Sequence, residues 1–175
     1  MKAEISETVD ARKVKFDRSA AIALARKMKV IIATRGQAVA RALGPFGFPL
    51  AAWSRRPHDI PGVASFAGRA SLDAFLARSA VVIGLLPSTP ATRGLLGAAA
   101  FAAMPRGGEV VNLGRGDLIV EPDLIAALDS GRLGHATLDV FGAEPLSPDH
   151  PFWHHPGITI TPHVSAVTDL ALSVA

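Results

Sequence analysis

The sequence has no cysteine, so disulfides and thiolate-held metal centres are excluded as sources of stability or chemistry. It also has no tyrosine, and aromatic residues make up only 6% of the chain. That scarcity speaks against the stacked aromatic platforms on which single-stranded nucleic acids are held. Long apolar runs are missing too: the most apolar stretches, residues 80–86 and 95–104, fall far short of the ~20 residues that cross a bilayer. The first ten residues mix Lys2, Glu4, Glu7 and Asp10 with isolated apolar side chains, so no secretory leader is expected. Together these absences point to a soluble, cytoplasmic protein without a membrane partner.

Lysine is absent from most of the chain, since every lysine lies at or before Lys29. Residues 1–56 carry 12 Lys or Arg against 4 Asp or Glu, whereas residues 57–175 carry 6 against 11. A basic flank can mark a nucleic-acid partner. Here it comes with no recognition helix or RNA-binding motif, and the larger part is acidic, so no nucleic-acid partner is expected. The lysine boundary instead divides the chain. Residues 1–29 read as a basic appendage, helical over 19–28, and residues 30–175 as one domain. A chain of 175 residues can bury roughly two-thirds of its unfolded surface, enough for a core without staples.

Within that domain, short apolar runs alternate with helix-like stretches, the pattern of a doubly wound α/β fold with a parallel sheet. Strands are expected at 30–33, 49–53, 63–66, 80–86, 109–113, 135–141 and 158–161. Helices are expected at 37–43, from an N-cap at Ser71 to 78, up to about 104, and from Pro122 to Gly131, with a last one from Val164 onward. In such a fold ligands sit at the carboxyl ends of the strands.

Three strand ends carry polar groups that packing does not require. In Asn112-Leu113-Gly114-Arg115-Gly116-Asp117, an arginine between glycines follows an apolar strand, and its planar fork suits a carboxylate. Alone, it is equally well a surface arginine in a turn. In Leu138-Asp139-Val140-Phe141-Gly142-Ala143-Glu144-Pro145, Asp139 falls inside an apolar run and needs a partner. Glu144 alone would be a solvated loop acid. In Thr161-Pro162-His163, a histidine follows a strand; backed by a carboxylate it could give a proton to a carbonyl oxygen, although alone it reads as structural. The six histidines have no cysteine beside them and are assigned to no metal.

Taken together, these segments resemble the cofactor-binding domain of the D-isomer-specific 2-hydroxyacid dehydrogenases, nearest the glyoxylate/hydroxypyruvate reductase branch. The resemblance runs from Gly36 to about Thr168. It rests on Gly47-Phe48-Pro49-Leu50-Ala51-Ala52-Trp53-Ser54-Arg55-Arg56, on Leu85-Leu86-Pro87-Ser88-Thr89, on the signature from Val111 through Glu121-Pro122-Asp123-Leu124 to Pro145, and on Thr161-Pro162-His163. It implies a Rossmann-type domain and reduction of a small 2-oxoacid to the D-2-hydroxyacid. The implied catalytic set is Arg115 for the substrate carboxylate, His163 as proton donor and Glu144 as the group that holds the histidine. The implied cofactor contacts are Gly36, Ser54, Arg55, Arg56, Leu86, Pro87, Thr92, Gly114 and Asp139, the last facing the nicotinamide carboxamide.

The cofactor can also be read from the residues. An NAD site places an acid after the second strand for the ribose hydroxyls, whereas here Ser54-Arg55-Arg56 stands there and no acid follows until Asp59. NADPH is therefore expected, with NAD as the alternative. The chain departs from the family at Ile31 and Ala33, which replace the first two glycines of the dinucleotide turn, while Gly36 matches the third. A shorter turn through Thr34-Arg35-Gly36 would bring Arg35 to phosphate. The family's separate substrate domain has no counterpart in residues 1–29, and its returning helix stops at Ala175, so a cofactor half alone is expected. A homodimer is one assembly open to it. The rival reading is a non-catalytic NAD(P)-binding module.

Overall fold

The computed structural model describes residues 36–165. The expected first strand at 30–33, Arg35, the helical stretch at 19–28 and the helix beyond Ser165 lie outside the described residues.

The chain alternates as its hydrophobic pattern requires. Helix α1 (Gly36–Leu43) leads through a tight turn to strand β1 (Leu50–Ser54), which pairs in parallel with β2 (Val63–Ala67). Helix α2 (Leu72–Leu76) follows, then β3 (Val81–Gly84), α3 (Ala98–Ala103), β4 (Gly108–Asn112), α4 (Glu121–Asp129), β5 (Leu133–Leu138) and β6 (Ile158–Ile160). Strands β3, β4, β5 and β6 pair in parallel in that order, apart from β1 and β2 among the described residues.

Side-chain alternation along the strands separates two apolar layers. On β1, Ala51 and Trp53 join a core with Phe75 and Leu76 of α2, Phe101 of α3 and Leu124 of α4. Leu50 and Ala52 face the other way, toward Ala40 of α1, where Ile83 of β3 also packs. Helices therefore lie on both faces, the doubly wound arrangement. Phe75, Leu76 and Leu124 are fully buried, and each contributes roughly 1.5–3 kcal/mol through its apolar surface.

Several boundaries differ from the sequence reading, and three of them have a plain local reason. Ser71 does not cap a helix through its side chain; it ends a 3₁₀ turn, and its hydroxyl donates to the carbonyls of Ala67 and Gly68. Strand β3 stops at Gly84 and β5 at Leu138, short of the apolar runs that suggested them. In both cases the run continues into a loop that packs over the sheet edge: Leu86 and Val140 are buried without being strand. Helix α4 ends as expected, with Pro122 in its first turn and Gly131 at φ +63° beyond its last. Among the described residues, no helix is long and apolar enough to cross a membrane.

Candidate active site

Register places the polar loops. Gly84, Asn112, Leu138 and Ile160 lie in one row across β3 to β6. The ladder runs one step further, with Leu113 N–H on Gly84 O at 3.0 Å, Asp139 N–H on Asn112 O at 3.0 Å and Thr161 N–H on Leu138 O at 2.9 Å. Parallel strands all end on one side, so four loops leave this row together. They carry Leu86 and Pro87, then Gly114 and Arg115, then Asp139 and Glu144, and finally His163.

Asn112 is buried at 1% exposure and spends its amide on the arginine loop. Its Nδ2 donates to Arg115 O at 2.9 Å, and its Oδ1 accepts from Gly114 N–H at 3.2 Å. Arg115 itself is exposed, with Nη1 donating to Gly114 O at 2.7 Å. Gly114 sits so close to the β3 loop that a Cβ there would lie 2.8 Å from Leu86 O. Thr92 shapes the same loop, donating to Pro87 O at 2.6 Å and accepting from Thr89 N–H at 2.9 Å.

Across from this loop, Glu144 and His163 meet. Glu144 Oε2 lies 2.8 Å from His163 Nδ1, and Oε1 accepts from Phe141 N–H at 3.0 Å. The Phe141 N–H is the main reason the Glu144 carboxyl is held below its ordinary value. The hydrogen bond with His163 adds to this, burial opposes it, and the positive charges of His163 and Arg115 contribute further. Register places the loops that carry Arg115, Glu144 and His163 at one edge of the sheet.

His163 has a left-handed backbone, φ +54°, a conformation that for a non-glycine residue costs on the order of 1–3 kcal/mol. Asp139 is what holds it. Thr161 Oγ1 donates to Asp139 Oδ1, Val164 N–H donates to Oδ1 at 3.0 Å, and Ser165 N–H donates to Oδ2 at 2.9 Å. The carboxylate that the resemblance aims at a nicotinamide carboxamide thus has both oxygens engaged by the histidine segment, and it is 1% exposed.

Burial is the largest influence on Asp139 and raises its pKa. The hydroxyls of Ser165 and Thr161 and the two backbone N–H groups outweigh it, lowering the value to about 2 from 3.8. A carboxyl depressed in the folded state stabilises it above the unfolded value, and that contribution is lost as pH falls from about 4 to about 2. By linkage it amounts to about 2 kcal/mol. Asp139→Asn should therefore unfold more readily in urea than the wild type at pH 6, with the gap narrowing toward pH 2; a gap that does not change with pH would refute the assignment.

The other expected cofactor contacts stand at a different strand end. Ser54, Arg55 and Arg56 lie at and just beyond the carboxyl end of β1, which pairs with β2. Ser54 is buried and donates to Arg56 O, so it braces the turn, while both guanidinium side chains stand exposed. Gly36 opens α1. Asn112 and the Phe141 amide are site groups that the sequence did not single out. The first was detectable, because an amide closing an apolar strand needs partners just as Asp139 does; the second, a backbone group, was not. Among the described residues no cluster of His, Asp and Glu could hold a metal.

The family described as D-isomer specific 2-hydroxyacid dehydrogenase, NAD binding domain, matches residues 5–165, a stretch that takes in most of the lysine-bearing segment. Among solved structures, a D-isomer specific 2-hydroxyacid dehydrogenase from Xanthobacter autotrophicus Py2, in complex with NADPH and MES, is 40% identical at TM-score 0.79, over 83% of this chain and 62% of that one. An NADPH-dependent glyoxylate/hydroxypyruvate reductase from Sinorhizobium meliloti, in complex with NADP and sulfate, is 45% identical at TM-score 0.75, over 80% of this chain and 46% of that one. A phosphoglycerate dehydrogenase from Lactobacillus plantarum is 31% identical at TM-score 0.77, over 83% and 48%. The chain thus spans between 46% and 62% of the length of these relatives. With the Arg115, Glu144 and His163 loops at one sheet edge and this match over most of its length, the chain belongs to the D-isomer specific 2-hydroxyacid dehydrogenase family, through that family's NAD binding domain.

Proposed function

We propose that this chain is the cofactor-binding part of an NADPH-dependent reductase that converts a small 2-oxoacid, of the glyoxylate or hydroxypyruvate kind, to the D-2-hydroxyacid. The observation that carries the reading is the 2.8 Å contact of His163 Nδ1 with Glu144, at the sheet edge where the Arg115 loop also leaves. A carboxylate on Nδ1 holds the proton of that nitrogen and orients the ring, so that in the imidazolium form Nε2–H is the donor for an incoming carbonyl oxygen. Arg115, released from Gly114 O, would take the substrate carboxylate in a two-point grip and polarise the adjacent carbonyl. NADPH, when bound, supplies the hydride; the protein supplies orientation and charge.

The cofactor fits the residues present at the end of β1. Two exposed guanidiniums end β1, and the turn offers no carboxylate before Asp59, which favours a 2′-phosphate over a bare ribose. Calorimetric titration is expected to give at least a tenfold preference for NADPH over NADH, about 1.4 kcal/mol. Equal affinities would refute the 2′-phosphate site. Oxidation of NADPH in the presence of glyoxylate or hydroxypyruvate tests the reaction; binding without turnover would favour the non-catalytic module.

A further inference from the structure

One peptide group in the loop that carries Glu144 ties that loop both to the Arg115 loop and to α4. The Phe141–Gly142 peptide is packed against Gly116, where a Cβ would come within 1.8 Å of the Phe141 carbonyl carbon. The two amides of this stretch are divided between two acids. Phe141 N–H donates to Glu144 Oε1 at 3.0 Å, and Gly142 N–H donates to Glu121 Oε1 at 3.3 Å.

Glu121 opens α4, and its other oxygen, Oε2, lies 3.3 Å from His150 Nε2. His150 Nδ1 accepts from Phe152 N–H at 3.3 Å, which puts the imidazole proton on Nε2, facing Glu121. The ring is fixed by an edge contact with Phe152, centroids 4.5 Å apart at 69°. His150 and Glu121 side chains are only 20% and 29% exposed, so the arrangement is partly shielded from water. A chain of contacts therefore runs from His150 through Glu121 to the Phe141–Gly142 peptide, and on through Glu144 to His163.

We propose that Glu121, oriented by His150, is a positioning residue that aims the Glu144–His163 pair by fixing the Phe141–Gly142 peptide. The inference rests on the reading that Glu144 and His163 act together. Glu121 touches neither substrate nor cofactor in this scheme. Its carboxylate keeps the Gly142 N–H turned toward α4, and the preceding N–H is then left pointing at Glu144. Without that anchor the stretch between Asp139 and Glu144 can rotate, and Glu144 loses the strongest of the groups that keep it ionised and directed at the imidazole.

The test uses the chain as it stands, with Glu121→Ala, Glu121→Gln and His150→Ala. Carbon-13 NMR of the Glu144 carboxyl is expected to show it titrating higher in folded Glu121→Ala than in the wild type, with faster hydrogen exchange at Phe141 N–H. Glu121→Gln, whose amide oxygen can still accept from Gly142 N–H, should restore the wild-type titration. His150→Ala should shift it in the same direction by less, and it carries the same test if Glu121→Ala does not fold. In the NADPH assay, Glu121→Ala should lower kcat about ten- to hundredfold with little change in KM for the 2-oxoacid, as expected for a misaimed donor. A Glu144 titration unchanged in a folded Glu121→Ala or His150→Ala chain would overturn the proposal. A wild type that never turns over, combined with the expected titration shift, would sink the reductase reading while leaving the positioning role standing.

Discussion

Gly116→Ala is expected to cost the protein both stability and its site. The added Cβ would lie 1.8 Å from the Phe141 carbonyl carbon, 2.0 Å from its oxygen and 2.4 Å from Gly142 N. These are backbone atoms, which cannot step aside as a flexible side-chain end would, so one of the two loops must move by roughly 1 Å. Severe substitutions of this kind cost about 4–5 kcal/mol. The displaced segments are those that carry Arg115 and Glu144, so the loss extends beyond stability: a misplacement of about 1 Å can cost about 100-fold in rate. The measurement is a urea unfolding curve alongside NADPH turnover. A wild-type midpoint in the alanine variant would mean that the two loops do not approach each other as described.

His163→Ala removes the proposed proton donor while leaving Arg55 and Arg56, at the end of β1, untouched. General acid catalysis contributes roughly 10²- to 10⁴-fold, so kcat should fall by that amount. NADPH affinity, which the proposal places with Arg55 and Arg56 at the end of β1, should be unchanged in calorimetry. The alanine also removes the partner of Glu144, one of the groups that hold its carboxyl low, so that carboxyl should titrate higher than in the wild type. Turnover that survives the substitution would remove His163 from the mechanism whatever happens to binding.

The layers of the fold could be read from the sequence because they follow from periodicity. The apolar runs around Val82 and Val110 can only be buried strands, and Pro122 and Gly131 mark the ends of a helix. Strand ends were less legible, since Leu86 and Val140 are apolar for loop packing and not for a ladder. Asp139 shows how far burial reasoning reaches. A carboxyl in an apolar run predicted a partner, but the partner proved to be the chain of Thr161 to Ser165, which no local pattern names. The contact of Glu144 with His163 spans 19 residues and came from the resemblance, not from either residue's surroundings. Glu121 stood in the sequence only as part of the Glu121-Pro122-Asp123-Leu124 signature; it opens α4, and its contact with His150 is made only by the fold.

The aligned row of Gly84, Asn112, Leu138 and Ile160 also bears on how this scaffold tolerates change in length. Side chains alternate between the faces of a strand, so one residue added inside β4 or β5 would invert the facing of everything after it. Arg115 or Asp139 would then be turned toward the helices. A residue added well past the row, between Pro145 and His150, would be absorbed by exposed chain. Descendants of this protein should therefore differ in the reach of their surface excursions and agree, residue for residue, in the spans beneath them.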